Sequence, residues 1–494
     1  MASVPDNGPA PGVQFVSRDG RRSSQSAGKT VFADAVRSVD PDLAQRIEGS
    51  KNWRKDYIES VRAVVAAGAT SGKNALRIAS DGLHAIHSNL SFVGDDGEVG
   101  LRDALRTETS QPYETATIQG EGERPPELSV PYRDRLLRGG ELHAQIARWR
   151  DAGVLEPSCA DALDAVADEP RWLDLSDVTF VILGAASEMG PLEMLCRCGA
   201  TVVAIDLPRK HLWDHIAAIA RRGSGTVHVP SRTSDFDPST AGVDLLTEGP
   251  TVRAWISSFG APFTIGNYVY ADGADFVRIA GLVDALIVDL VERHRDVGIA
   301  YLATPTDVFA VPGDVVDATI ARRRSGIGAK TLRTISASNL YEPNYATTVS
   351  DENGERWGIS DALVPIQGAN YALAKSLQKW RAMLAREEGL VTSANVAPST
   401  RTRSVTKNRL LAAAYRGAPA FGVEIFEPET SRALTSALLI HDLRSPTSVA
   451  RPDVPLEHPY ELFANGALHG GIWRLPHTAR SILPLGLALG MVRR

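Results

Sequence analysis

Short apolar runs alternate with amphipathic stretches through the second half of the chain. The runs cover residues 179–183, 202–205, 242–246, 263–270, 298–304 and 390–396, and their length and β-branched content predict strands. Between them, residues 212–222, 251–258, 275–294 and 370–388 repeat apolar positions every three or four residues and predict helices. Strands and helices in alternation predict an α/β domain over residues 175–440, built as a doubly wound parallel sheet. One interval, 309–368, breaks the rhythm with charged segments and an arginine cluster at 322–324. It is too long for a bare connection and reads as an insertion with its own structure.

The first half has a different texture. Residues 1–30 are rich in Gly, Ser, Pro and Asp and read as a flexible tail. Trp53, Tyr57, Ile58, Val61, Val64 and Val65 fall at helical spacing, and a mainly helical N-terminal region is expected over 31–174, with a polar loop at 92–131. Residues 441–494 read as a C-terminal extension. The stretch from Gly68 through Gly72, Lys73 and Asn74 superficially suggests a phosphate loop, but its glycines are one residue too close and Asn74 stands where a hydroxyl is needed.

At 494 residues and 43% hydrophobic content, the chain holds enough apolar material for two or three folded regions. A formal net charge of -6 with dispersed basic residues argues against a nucleic-acid surface. Cys159, Cys196 and Cys198 cannot build a disulfide framework or a four-thiolate zinc site; they read as core residues of a cytosolic protein, with no metal expected. The N-terminus lacks the charged lead and apolar core of a signal peptide, and no apolar run reaches the roughly 18 residues of a membrane span. A cytoplasmic location is expected.

Candidate chemistry begins at 178–208, which reads as strand, tight turn, helix and second strand, the layout that holds a dinucleotide in a Rossmann unit. The turn runs Gly184, Ala185, Ala186, Ser187, Glu188, Met189, Gly190. Its glycines allow the backbone to approach a pyrophosphate at a helix N-terminus. Asp206, 22 residues after Gly184, stands where a ribose-binding carboxylate belongs. Glu188 occupies the place of a middle glycine, and its bulk and charge oppose a phosphate in the usual pose.

A second constellation lies in the helix after the insertion, Tyr371-Ala-Leu-Ala-Lys375. Residues four apart share a helical face, so the ammonium is expected to favour phenolate and lower the tyrosine pKa towards the range of a general acid or base. With Asn395, Pro398 and Thr400 following the next strand, this segment resembles the short-chain dehydrogenase/reductase superfamily over roughly residues 177–405. The resemblance implies Tyr371 as proton donor or acceptor, and Lys375 as its partner and nicotinamide-ribose contact. It further implies that Asp206 takes the adenine ribose, which favours NAD, although Arg209 and Lys210 leave NADP open. Asp244 and Leu245, placed on the third strand, would contact adenine, and Asn267 would begin the family's Asn-Ala-Gly segment. Cofactor contacts are thereby implied for Gly184, Ala186, Ser187, Glu188, Met189, Gly190, Asp206, Asp244, Leu245, Asn267, Lys375, Pro398 and Thr400.

This sequence departs from that pattern at Glu188, at Tyr268 and Val269 after Asn267, at Ser399 after Pro398, and in having no serine at the usual distance before Tyr371. Thr304 or Thr306, at the end of the 298–304 strand, is then the candidate to polarise the substrate carbonyl, with Ser336 and Ser338 as rivals, and a turn or helix-cap contact is the favoured reading for any one of these hydroxyls. His469, in His469-Gly-Gly-Ile-Trp473, combines a proton carrier with backbone freedom, though a structural turn is the favoured reading. The apolar final segment, ending in Arg493 and Arg494, suits a membrane surface, an apolar substrate mouth or docking on the core. The leading expectation is an NAD(P)-dependent oxidoreductase acting on a carbonyl or alcohol of an apolar small molecule, with homo-oligomers suggested by the family. Alternatives are a lyase, isomerase or epimerase that uses bound NAD(P) internally, and a non-catalytic nucleotide-sensing module.

Overall fold

The computed structural model describes residues 10–108, 113–325 and 342–492. It opens with β1 (Gly12–Phe15) and the helices α1 (Ser24–Arg37), α2 (Pro41–Glu48), α3 (Trp53–Gly68) and α4 (Gly72–Asn89). Ser23, Asp40 and Ser71 cap α1, α2 and α4 by accepting hydrogen bonds from first-turn amides. The loop-like Gly68 to Asn74 stretch is thus a helix junction. Then follow β2 (Leu90–Gly94), β3 (Gly97–Gly100), α5 (Leu101–Arg106), β4 (Glu114–Gln119), β5 (Val130–Tyr132), β6 (Arg135–Leu137), α6 (Gly139–Asp151) and α7 (Pro157–Asp168).

Two expectations for this half are corrected. Residues 10–30 are not all tail: β1 pairs antiparallel with β2 and buries Val13 and Phe15, and α1 begins at Ser24. Nor is 92–131 a bare loop, since it contributes β3, β4 and α5.

The alternating half holds β7 (Thr179–Leu183), α8 (Leu192–Arg197), β8 (Thr201–Ile205), α9 (Lys210–Arg222), β9 (Thr226–Ser231), α10 (Leu245–Ser257), β10 (Phe263–Asn267), α11 (Ala274–Arg293) and β11 (Val297–Ala303). The interval after β11 forms β12 (Val308–Pro312), α12 (Gly313–Ser325), β13 (Thr348–Ser350) and β14 (Arg356–Asp361), whose strands make a separate antiparallel sheet in the order β12-β14-β13. The chain continues through α13 (Gly368–Glu387), β15 (Thr392–Val396), α14 (Arg403–Lys407), α15 (Arg409–Gly417), α16 (Pro428–Arg444), α17 (Glu461–Ala464) and α18 (Ala479–Val492).

The large sheet has seven strands in the order β15-β11-β10-β7-β8-β9-β4, with β4 antiparallel at one edge. The other six are parallel. Counted along the chain these six run 3-2-1-4-5-6, so the order reverses between β7 and β10. In open α/β sheets the crevice outside the carboxyl ends at such a reversal is where ligands bind. The molecule is a mixed α/β structure with helices on both sheet faces, compatible with a Rossmann-like fold.

Residues on β7 show how one run serves two faces. Val181 and Leu183 join the core shared with α1 to α4, α10, α11 and α13, whereas Phe180 and Ile182 join the core under α6 to α9 and α16. Burial on both faces explains why the parallel strands read as continuous apolar runs. The expected strand at 242–246 is not one. The third parallel strand is β9, sixteen residues earlier by its first residue (242 − 226), and Leu245 already belongs to α10.

Candidate functional site at the carboxyl edge of the sheet

The turn after β7 is bound closely to its neighbours. Gly184 has φ +81°, and a Cβ there would stand 2.9 Å from the Tyr268 carbonyl oxygen, so both conformation and space require glycine. The amides of Gly184 and Ala185 donate to Ile205 O, that of Ser187 to Gly184 O, and that of Gly190 to Ser187 O. Ala186 N–H donates to Asp206 Oδ2 at 2.7 Å. Among the described residues no acceptor meets the amides of Glu188 and Met189. The Glu188 side chain reaches across to the segment after β15, where Oε2 accepts from Arg403 N–H at 2.9 Å, and its carbonyl accepts from Arg432 Nη1 at 3.1 Å.

Asp206 follows β8 and accepts from Ala186 and Leu207 amides, the latter at 2.8 Å. Burial pushes its carboxyl up from the ordinary range, opposed by those two hydrogen bonds. Val243 N–H donates to Asp206 O at 2.9 Å, which sets Asp244 close by. Asp244 and Leu245 lie on no strand. Asp244 is the N-cap of α10, with Oδ1 accepting from Leu246 N–H at 3.0 Å, and Leu245 is the first helical residue.

Tyr371 and Lys375 lie one turn apart on α13, which packs on β11 and β15. The Tyr371 hydroxyl lies beside the side chain of Thr304, the residue after β11, which acts to lower the phenol's pKa. Thr304 Oγ1 stands 3.1 Å from Thr306 Oγ1, which accepts from Gln367 Nε2 at 3.0 Å. Two threonine hydroxyls and the Gln367 amide are therefore joined beside the phenol. Phe276 packs against Tyr371 with ring centroids 5.8 Å apart, and Tyr270, 58% exposed, packs against Phe276 at 5.1 Å. These rings form an aromatic row from the surface to the Tyr371 ring.

The expected effect of Lys375 on the phenol is corrected. Burial raises the Tyr371 pKa, the adjacent Thr304 side chain lowers it, and the Asp307 carboxylate raises it further. Lys375 Nζ instead donates to Leu302 O at 3.3 Å and Gln378 Oε1 at 3.0 Å. Burial lowers its ammonium to about 8, with Asp307 opposing and Lys379 reinforcing the shift. Lys375, Asp307, Lys379 and Gln378 line one small cavity beside Tyr301. Lys379 Nζ meets Asp307 Oδ2 at 2.7 Å and lies over the Phe309 ring at 4.7 Å.

Asn267 ends β10, where its buried Oδ1 accepts from Val269 N–H at 3.3 Å. After β15, Thr400 Oγ1 donates to Pro398 O at 2.9 Å and shares a 2.6 Å hydrogen bond with Ser431 on α16. The Tyr415 hydroxyl of α15 lies beside Ser399. His469 is buried, with Nδ1 accepting from Gly471 N–H at 2.9 Å and Nε2 facing Glu156 Oε1 at 2.7 Å. That geometry is a closed structural turn, as favoured from the sequence. Ser336 and Ser338 lie outside the described residues.

The structure thus gathers the glycine turn, Asp206, Asn267, Thr304, Thr306 and Pro398 at the carboxyl ends of five parallel strands, with Tyr371 and Lys375 above β11 and β15. Sequence reasoning missed Asp307, Gln367, Lys379 and Tyr415. For Lys379 a signal existed, because it repeats the Tyr371 to Lys375 spacing on a helix face expected to be apolar. Among the described residues no group of three or more His, Cys, Asp or Glu side chains is placed to hold a metal ion, and no helix is long and apolar enough to cross a membrane. No protein-family model matches the chain, and a search of curated proteins finds no similar sequence.

Proposed function

We propose that this protein is an NAD(P)-dependent oxidoreductase that moves a hydride between the nicotinamide and a carbonyl or alcohol of an apolar substrate, in the manner of the short-chain dehydrogenase/reductase superfamily. The observation that carries this reading is the placement of the Tyr371 hydroxyl on α13 beside Thr304 at the carboxyl end of β11. Two hydroxyls so placed can grip one carbonyl oxygen, Thr304 polarising it while Tyr371 passes the proton. Lys375, its ammonium lowered to about 8, remains mostly protonated at neutral pH and supplies positive charge beneath the site.

The residues around the reversal point suit a dinucleotide, which supplies the hydride chemistry when bound. Gly184 permits close approach, and Glu188 and Met189 retain free amides for a phosphate. Each Asp206 oxygen has accepted one amide and keeps a lone pair for ribose hydroxyls. Lys210 is held by Asp214 at 2.9 Å, which favours NAD over NADP by withdrawing one cation from a 2′-phosphate.

Replacing Tyr371→Phe is expected to lower turnover roughly 10²- to 10⁴-fold while dinucleotide affinity is retained. Nicotinamide absorbance with a panel of apolar carbonyls and alcohols measures the first, and calorimetric titration the second. Unchanged turnover removes the assignment. A second reading, a non-catalytic nucleotide-sensing module or one that has lost its ligand, draws on the Glu188 contacts and on the glycine-turn amides already paired within the fold. Absence of NAD and NADP binding at millimolar ligand selects that reading.

A further inference from the structure

Between Arg401 and Gly417 the chain carries Arg401, Arg403, Lys407, Arg409 and Arg416, all exposed, and no carboxylate. Arg401 pairs with Glu427 at 2.9 Å, and Arg416 Nε donates to Gly490 O at 3.0 Å. Arg403, Lys407 and Arg409 face no carboxylate within ion-pair distance among the described residues.

Against this basic strip packs an apolar helix. From Ser481 to Val492, α18 has no charged residue. The two helices touch through glycines: a methyl at Gly417 would collide with Gly486 O, and one at Gly490 with Ala413 O. Residue 413 therefore opposes 490 and residue 417 opposes 486, an antiparallel register that brings Leu410 and Met491 to the same end. Leu410 is 59% exposed and Met491 60%, and Pro484 and Ala488 of α18 are also exposed. Fourteen helical residues span about 21 Å, short of the roughly 30 Å of a bilayer core.

We propose that α15 and α18 form a docking surface for an anionic lipid bilayer, with Leu410 and Met491 seated among the acyl chains and Arg403, Lys407 and Arg409 at the headgroups. An apolar face bordered by unpaired cations is the composition of a helix lying in the interfacial plane. The charge argues against a second copy of this chain as the occupant, since two-fold association through this face sets the basic strip against itself. The surface stands without the oxidoreductase reading. What rests on that reading is its consequence: Tyr415 sets α15 beside Ser399 and the Tyr371 site, so docking turns the mouth of the site towards lipid and admits a membrane-dissolved substrate.

Sedimentation of the full chain with vesicles tests the proposal. The protein is expected to pellet with vesicles of mixed phosphatidylglycerol and phosphatidylcholine and to remain in solution with phosphatidylcholine alone or at high salt. Each basic residue at such a surface contributes about fivefold in affinity, so the double variant Lys407→Glu/Arg409→Glu is expected to bind at least about tenfold more weakly. Leu410→Asp/Met491→Asp, confined to exposed positions, is expected to lose binding with an unchanged thermal melt. Tyr371→Phe binds vesicles like the parent even where it fails in turnover, which separates the docking surface from the chemistry. Failure of the parent to pellet, equal binding by the charge-reversed variant, or a dimer that the Leu410 and Met491 substitutions dissociate would overturn the proposal.

Discussion

Thr304 shows what a single residue in this fold can be asked to do. It follows a buried parallel strand, its hydroxyl meets Thr306 at 3.1 Å, and it lies beside the Tyr371 phenol. If the hydroxyl polarises a carbonyl, Thr304→Ala removes one preorganised donor, and kcat is expected to fall about 10²- to 10³-fold. Thr304→Ser keeps the donor and is expected to retain most of the rate. Steady-state kinetics on both variants, with dinucleotide titration as control, distinguishes this from a packing effect, because loss of the methyl alone affects alanine and serine alike. Thr304 and Tyr371 were legible because each sits on a regular element whose period places it: the end of a strand run, and one turn before Lys375 on a helix. Asp307 and Tyr415 were not, because loops and a distant helix bring them to the phenol, and no local pattern encodes that approach. The Tyr371 pKa was misread for the same reason. Spacing along α13 places an ammonium one turn away, but burial of the phenol and the Asp307 carboxylate decide its proton affinity.

Among the elements, strands with continuous apolar runs were legible, and the β9–β4 pair at one end of the sheet was not. In β7 and β8 almost every residue is buried, so composition alone announces them. β9 carries His228 and Pro230, and β4, which pairs with it, alternates small polar residues, so neither looks like a strand in isolation. The segment 242–246 looked more like a strand because Val243 and Leu245 are buried at a turn and a helix start. β15 presents a further case, since its run contains the buried polar residues Ser393 and Asn395. Both donate to Asp442 Oδ2 on α16, at 2.7 and 2.8 Å, and Ser448 donates to Oδ1 at 2.6 Å. This carboxylate fastens α16 to the edge strand. Asp442→Ala leaves three buried donors without their acceptor and is expected to destabilise the fold by about 2–3 kcal/mol, read as a lowered urea midpoint at unchanged slope. A loss below about 0.5 kcal/mol would mean that water replaces the carboxylate and that the network does not hold the edge.

For the molecule as a whole, the C-terminal extension is fastened to the first half of the chain by one buried carboxylate. Glu156, at the start of α7, faces His469 Nε2 at 2.7 Å and accepts from Arg474 Nε at 2.9 Å, while Leu468 N–H bonds Val396 O at the end of β15. Burial opposes ionisation of Glu156, but the hydrogen bonds from His469 and Arg474 outweigh it and hold the carboxyl at about 2, against an ordinary 4.5. Burial also lowers the His469 pKa below its ordinary 6.5, in keeping with a neutral ring whose Nδ1 accepts from Gly471. Both groups are depressed in the folded state, so both act in one direction with pH. Below 6.5 the unfolded chain takes up a proton at His469 that the folded chain resists, and below 4.5 the same holds for Glu156. Their contribution is complete above pH 6.5 and is lost in stages as the pH falls, the Glu156 share between 4.5 and about 2. Melting temperatures of the parent and Glu156→Gln across this range measure it. The variant is expected to melt lower at pH 7, because two buried cationic or donor groups lose their carboxylate, and to show a shallower decline below pH 4.5. If the two curves run parallel in that window, the acid sensitivity belongs to other carboxylates and Glu156 is not the clasp between the two ends of the chain.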